Sequence, residues 1–571
     1  MKVKTDALKN LILLGLLEVA IAIPCASQQP VPVFPPSMDH SFHDEAPVDK
    51  NPLVFSSRAE YVLVPVIVRD KNRQHVKGLS KADFTIQEDG ATQNITSIEE
   101  VHTGTDLIRR ASSPGGEFSN ALESDSKPRR LAIIALDLIN TPSQDQAYAR
   151  KSVINLLARS VDDGSLILLL TINASGITVV HDYAEDPKDL IFALKSLNTN
   201  FGSNEVVKAS AMAPELKKLG KVTGGRLLDF ATASDTQYAA LQRDIAVSAT
   251  LNAFQRIAQS VANIPGRKSL VWVTGSFPFT IDNANSEISG TRNFGAFERT
   301  MQLLNNANVS MYPVDARGLV GLNISAESSD LGLRDTVAMD HDYNLDAKEH
   351  TGTLQTMTTM ADMTGGKAFI NRNDVGRSVL EAMQDGSDYY LLTYPLNKAN
   401  TRAGWRKLNV KCKGDGYKTQ ARRGFFVSPA TLNHVESKQS ELSSALDSPL
   451  EFTALPIKAR WLGNPSEGKS SKIYSFELEL PAKAVSPEEN ENRLSLDFRV
   501  MATNTAGATS GNVAQTFEGT LPPGGAEQLK KEGVKYKSSF ELIPGEYTVH
   551  FVVRDNVSGK VGSLVTHLKV S

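Results

Sequence analysis

The sequence predicts an α/β protein. It should contain a doubly wound, mostly parallel sheet, inserted in or flanked by β-sandwich segments, and a C-terminal immunoglobulin-like β-sandwich. Three observations carry that expectation. Between 131 and 387, the apolar runs LAIIALD, SLILLLTI, SLVWVT and VSMYPVD alternate with helical stretches, and strands covered on both faces read as unbroken apolar runs. Short strands flank this unit: YVLVPVIVRD, DFTIQED and NITSIEEV before it, DYYLLTYPL, GWRKLNVKC and YKTQARRGFFV after it. Residues 449–571 then hold about seven strand-like segments, with turns at Pro544-Gly545 and Ser558-Gly559, a spacing that fits an immunoglobulin-like sandwich.

In chain order, Lys2, Lys4 and Lys9 precede an apolar run from Leu11 to Ile23 that ends in small residues. This is the layout of a secretory signal peptide over 1–27, and the run is short for a membrane span. The expectation is export to the periplasm, cell envelope or medium, with no transmembrane span after cleavage. Residues 28–56 contain QQPVPVFPPS, an extended proline-rich spacer. The N-terminal β segment covers 57–101, and a polar linker with Ser112-Ser113-Pro114-Gly115-Gly116 fills 102–130.

Within the α/β unit at 131–387, the clearest helix is Tyr238 to Asn263. Leu241, Ile245, Leu251, Phe254, Ile257, Ala258 and Val261 recur there at helical spacing, and Pro265-Gly266 follows. GGKAFIN and a helix after Asp374 close the unit. The strands of 57–101 and those of 388–427 are each too few to bury a core. The expectation is that they pair into one sandwich around the inserted α/β unit. A polar helical linker at 428–448 leads to the last domain.

Composition excludes some functions. A net charge of −3 lacks the clustered basic excess that nucleic acid requires. Two cysteines, Cys25 and Cys412, offer no disulfide framework. No G-x-S-x-G elbow or Cys/His pairing supports hydrolase chemistry. GNPSEGKS, Gly463 to Ser470, matches a nucleotide-binding loop by pattern. That mechanism needs a helix after the loop, and KIYSFELELP alternates like a strand, so a hairpin loop without nucleotide is expected. MDHDYNLDAKEH, Met339 to His350, is rich in metal-ligating side chains but lacks helical ligand spacing, and reads as a solvated loop.

Asp137 ends the first apolar run, where an open α/β sheet binds its ligands. It is either a metal ligand or a strand-end carboxylate that caps the following turn. VIVRDKNRQHVKGLSKADFTIQEDGATQNITSIEE, ALDLINTP, IPGRKSLVWVTGSFP, YPVDARGL, ADMTGGKAF and YYLLTYPL, in that order, resemble the VWFA-related, acidobacterial-type family of exported proteins over about Tyr61 to Val427.

The resemblance implies a central von Willebrand factor type A-like domain and no established reaction. It also implies a Mg²⁺ or Mn²⁺ site built from D-x-S-x-S, a loop Thr and an Asp after the fourth strand, completed by a partner's carboxylate. Here the first motif reads Asp137, Ile139, Thr141, with Asn140 out of phase, and Thr274-Gly275 stands where the last acid belongs. Thr199, Ser203 and Ser210 are the choices for the loop hydroxyl. Asp137 and Thr141, with Asn140 as a further oxygen, are the candidate ligands of such a degenerate site; with so few oxygens the expectation is that Asp137 caps the turn and that Mg²⁺ or Mn²⁺ changes little. The function expected is that of an exported, noncatalytic, adhesion-like protein that meets a protein or extracellular-matrix ligand. The alternatives are a metal-dependent enzyme built on 339–350 and a structural envelope component.

Overall fold

Every residue of Leu131–Asp137 is buried, and so is every residue of Lys268–Thr274 and Val309–Asp315. Such strands must lie inside a sheet with both faces covered. The computed structural model describes residues 61–103, 117–121, 130–158, 165–184, 187–197, 226–277, 279, 293–317, 351–396, 404–427, 435–463, 465–467, 471–482, 484–485, 487 and 493–571. The signal-peptide and spacer expectations, the loop at 339–350 and the stretch holding Thr199, Ser203 and Ser210 fall outside them.

The central sheet has five strands. From edge to edge they are Val309–Asp315, Lys268–Thr274, Leu131–Asp137, Leu166–Asn173 and Gly176–Ala184. The first four run parallel and the last is antiparallel. Successive side chains of a strand point to opposite faces, and the two faces find different partners. Ile133, Leu168 and Leu270 pack with Leu251, Phe254 and Ile257 of the helix Arg226–Ser260 and with Met301 and Leu304 of Phe294–Asn306. Ile134, Leu169 and Val271 pack with Val153 of Ser143–Leu157, Leu190 of Pro187–Ser196 and Val379 of Val375–Gln384.

The long helix departs from its sequence pattern at one end. Leu241 and Ile245 are 52% and 43% exposed, whereas Leu251, Phe254, Ile257 and Val261 are buried. From Val247 to Val261 the apolar face lies against the sheet, so at Leu241 and Ile245 helical spacing alone overstates what is buried.

Two four-stranded sheets flank this unit. One is ordered Lys418–Ala421, Tyr61–Arg69, Asp388–Pro395, Ser97–His102; the other Gly424–Val427, Gly404–Cys412, Phe84–Glu88, Ala91–Gln93. Each therefore mixes strands from before and after the α/β unit, and Val64, Val66, Ile86, Tyr390, Leu392 and Leu408 form their common core. Asp385 joins this part to the central sheet: its carboxylate receives Arg69 Nη2, Tyr312 Oη and Gln420 Nε2, each at 2.7 Å.

The C-terminal part consists of a sheet ordered Thr509–Thr520, Arg493–Asn504, Gly545–Asp555, Val561–Val570 and a second built on Lys472–Leu480. Here the sequence expectation needs correction, because residues 102–130 are not only a linker. Glu117–Ser119 forms an edge strand of the second sheet, pairing antiparallel with Lys458–Trp461. The side chain of Asn120 fixes this strand, donating through Nδ2 to Phe452 O at 2.6 Å and Leu455 O at 3.0 Å, and accepting from Ile457 N at 2.8 Å. Glu117–Ser119, in which Phe118 is the one apolar residue, carries no pattern that would reveal this role. The helix Val435–Leu446 ties the C-terminal part to the α/β unit, since Glu441 pairs with both Arg299 and Arg554.

Candidate functional site

The parallel strands end together at one crest. Asp137 finishes its strand, Thr274 finishes the next, and Asp315 lies opposite Thr274 in register. From Leu131–Asp137 the sheet extends to Leu166–Asn173 on one side and Lys268–Thr274 on the other. A carboxylate in that position can face a ligand or hold the crest together.

Its hydrogen bonds show which. Asp137 is 1% exposed. Oδ1 accepts from the backbone N–H groups of Ile139 at 3.2 Å and Asn140 at 3.0 Å. Oδ2 accepts from Asn140 Nδ2 at 2.8 Å and Trp272 Nε1 at 3.0 Å, and the Thr274 hydroxyl lies 3.1 Å away. Burial pushes the Asp137 carboxyl above its ordinary range, against the pull of the hydrogen bonds from Asn140, Trp272 and Thr274.

The other sequence-predicted ligands are also engaged. Asn140 Nδ2 reaches Thr250 Oγ1 at 2.8 Å as well as Asp137. Thr141 Oγ1 accepts from Gly275 N at 2.9 Å. Gly275 permits this approach, because a Cβ there would lie 3.0 Å from Pro142 Cδ and 3.2 Å from Thr141 Cα. Ser276 Oγ donates to Asn140 O at 2.9 Å and closes the ring of contacts between the two loops.

These groups do not fit a hexacoordinate Mg²⁺ or Mn²⁺. Such an ion needs several oxygens converging at about 2.1 Å with lone pairs directed inward, and a carboxylate offers roughly four lone-pair sites. Those of Asp137 are directed at N–H and O–H donors, and Ile139 contributes no oxygen to the motif. Among the described residues, no three His, Cys, Asp or Glu side chains group as a metal would require.

Trp272, Thr274 and Thr250 are the participants that sequence reasoning missed. Trp272 and Thr274 lie in the strand run SLVWVT, where alternation marks core positions but does not reveal which side chain carries a polar atom toward the neighbouring strand end. The crest has a second buried carboxylate, Asp315, whose Oδ1 accepts from Arg317 N and Nε, both at 3.1 Å. Asp145, in the first turn of Ser143–Leu157, is pushed up by burial; Arg317 lowers it and Asp315 raises it.

The loop that matches the nucleotide-binding pattern leads, through the short strand Ser466–Glu467, into Lys472–Leu480, with which that strand pairs antiparallel. A strand thus stands where a phosphate-binding loop would need a helix.

No protein-family model matches the chain, and no curated protein matches it in sequence. Among solved structures, the chain is similar to a β-glucuronidase of Bacteroides uniformis at 7% identity and a TM-score of 0.14, covering 34% of this chain and 20% of that one. It is also similar to the pilus adhesin SpaC of Lactobacillus rhamnosus GG in its open conformation, at 10% identity and a TM-score of 0.25, covering 88% of this chain and 58% of that one. The chain thus spans less than two thirds of either structure's length, and scores this low assign neither fold nor activity.

Proposed function

We propose that the chain is an exported, noncatalytic, adhesion-like interaction protein. Its central unit is a von Willebrand factor type A-like domain, doubly wound, whose crest contacts a protein or extracellular-matrix ligand without a metal ion. The observation that carries this reading is the crest itself. The sheet order, with an antiparallel edge strand among the described residues, supports this reading: Asp137 ends a parallel strand at the crest, and its carboxylate is held by Asn140, Trp272 and Thr274. A crest pre-organised by protein donors presents fixed loops and loses little conformational freedom on binding. In this reading the flanking sandwiches hold the domain through the Asp385 and Glu441 junctions.

A photoreactive amino acid at Leu138, on the chain secreted by its native host, tests the proposal. One discrete surface or matrix protein should be captured in chelator as well as in Mg²⁺, and the same probe at Lys535 in the C-terminal part should not capture it. Capture that requires Mg²⁺, or none from any crest position, would overturn it.

A further inference from the structure

The crest carries a small pocket of about 100 Å³ whose floor spans three adjacent strands. Leu136 stands in register with Thr171 on one side and Val273 on the other, and all three line the space. Ser143, Gln146 and Arg150 of the helix Ser143–Leu157, with Leu197, help to wall it.

The position is one where open α/β sheets bind ligands. From Asp137 the chain enters the helix Ser143–Leu157 on one face of the sheet, whereas the next described helix after Thr274, Phe294–Asn306, packs on the other. Loops that part to opposite faces leave a crevice at the strand ends. At about 100 Å³ it lies below the range of about 300–1,000 Å³ that holds a free ligand. It has room for about three waters, each near 30 Å³, which suits the polar end of one side chain.

The hydroxyl of Thr171 is what points to a ligand. Thr171 is 1% exposed, and its Oγ1 has no hydrogen-bond partner among the described residues. A valine would fill the same place without burying an uncompensated hydroxyl. The neighbouring polar groups are partly spent, and what remains is specific. Gln146 Nε2 donates to two backbone carbonyls, Leu138 O at 2.9 Å and Thr141 O at 2.7 Å, which leaves its Oε1 as an acceptor. Arg150 Nη1 donates to Leu197 O at 2.8 Å, using one of the several N–H groups of a guanidinium. The Asp137 carboxylate also borders the pocket, so its charge and that of Arg150 oppose one another there.

We propose that this pocket receives the side-chain carboxamide of an Asn or Gln of the partner protein, an inference that rests on the crest reading for the partner's position. The carboxamide oxygen accepts from Arg150 and the amide group donates to Gln146 Oε1, while the Thr171 hydroxyl serves either end. A carboxylate would lie beside Asp137 and leave the Gln146 oxygen unmatched, and an ammonium would face Arg150. A neutral group that donates and accepts through separate atoms meets neither penalty.

The test uses the full chain with propionamide, propionate, propylammonium and propanol as probes, read by saturation-transfer difference NMR. Propionamide should give a signal about fivefold stronger than the other three, the worth of one hydrogen bond. Thr171→Val should weaken that signal about fivefold with the melting temperature unchanged or raised, and Thr171→Ser, which keeps the hydroxyl, should retain it. No signal from propionamide, an equal signal from propionate or propanol, or an unchanged signal in Thr171→Val would each overturn the proposal. The probes need no partner, so the two readings fail separately. Capture at Leu138 without propionamide binding would overturn the carboxamide site alone; propionamide binding without capture would overturn the adhesion reading alone.

Discussion

The indole N–H of Trp272 donates to Asp137 Oδ2 at 3.0 Å, joining the first strand of the central sheet to its neighbour at the crest. Trp272 is fully buried, between Phe254 and Phe277, whose rings lie edge-on at 5.1 Å and 5.2 Å. The carboxylate is thereby anchored in the hydrophobic core as well as in the loops.

Asp137→Ala should cost far more than a lost turn cap. It leaves Trp272 Nε1, one of the two Asn140 Nδ2 hydrogens and two backbone N–H groups without an acceptor, and each buried orphan costs about 1–3 kcal/mol. A loss of roughly 3 kcal/mol or more is expected, with Asp137→Asn milder because one acceptor oxygen remains. Chemical denaturation of the three proteins decides it; a loss near 1 kcal/mol for the alanine variant would mean that the hub is not coupled to the core.

Lys268 gives the stability a pH dependence. It is 2% exposed, its Nζ donates to Ala307 O at 2.7 Å, and burial lowers its pKa from 10.5 to about 7. Between those values the unfolded chain binds the extra proton, so Lys268 makes stability rise with pH across that window, by up to about 1.4 kcal/mol per pH unit. Below pH 7 the penalty for a buried ammonium is fully present. Melting temperatures from pH 7.5 to 9.5 should climb less steeply in Lys268→Met than in the parent chain. Parallel curves would refute the assignment.

Asn120→Ala should loosen the C-terminal part selectively. It leaves the buried N–H of Ile457 and the carbonyls of Phe452 and Leu455 without their side-chain partner, at about 1–3 kcal/mol for such a loss. Limited proteolysis should cut within residues 449–571 sooner than in the parent, while fragments of 131–387 persist. Unchanged cleavage would show that Glu117–Ser119 contributes nothing to the sheet.

Much of this architecture is legible in the sequence because it depends on burial. LAIIALD and SLVWVT announce parallel strands without any partner being known, and the flanking strands advertise their need for one another by being too few. The incoming strand Glu117–Ser119 is illegible for the opposite reason: three polar-flanked residues hold their place through backbone pairing and one asparagine side chain. At the crest, the sequence reveals Asp137, the missing hydroxyl at Ile139 and the missing acid at Thr274-Gly275. It does not reveal what replaces them. The indole of Trp272 and the hydroxyl of Thr274 reach the carboxylate across strands, and no local pattern encodes a contact between residues 135 positions apart.

The most direct measurement is the thermal unfolding of the full chain in millimolar Mg²⁺ or Mn²⁺ against chelator, with Asp137→Asn in parallel. An ion bound at about 100 times its dissociation constant would stabilise the fold by roughly 2.7 kcal/mol. The Asp137 hub, with its lone pairs directed at Ile139, Asn140, Trp272 and Thr274, predicts unfolding curves that superimpose with and without the ion. A metal-dependent rise in melting temperature that disappears in Asp137→Asn would contradict a metal-independent crest.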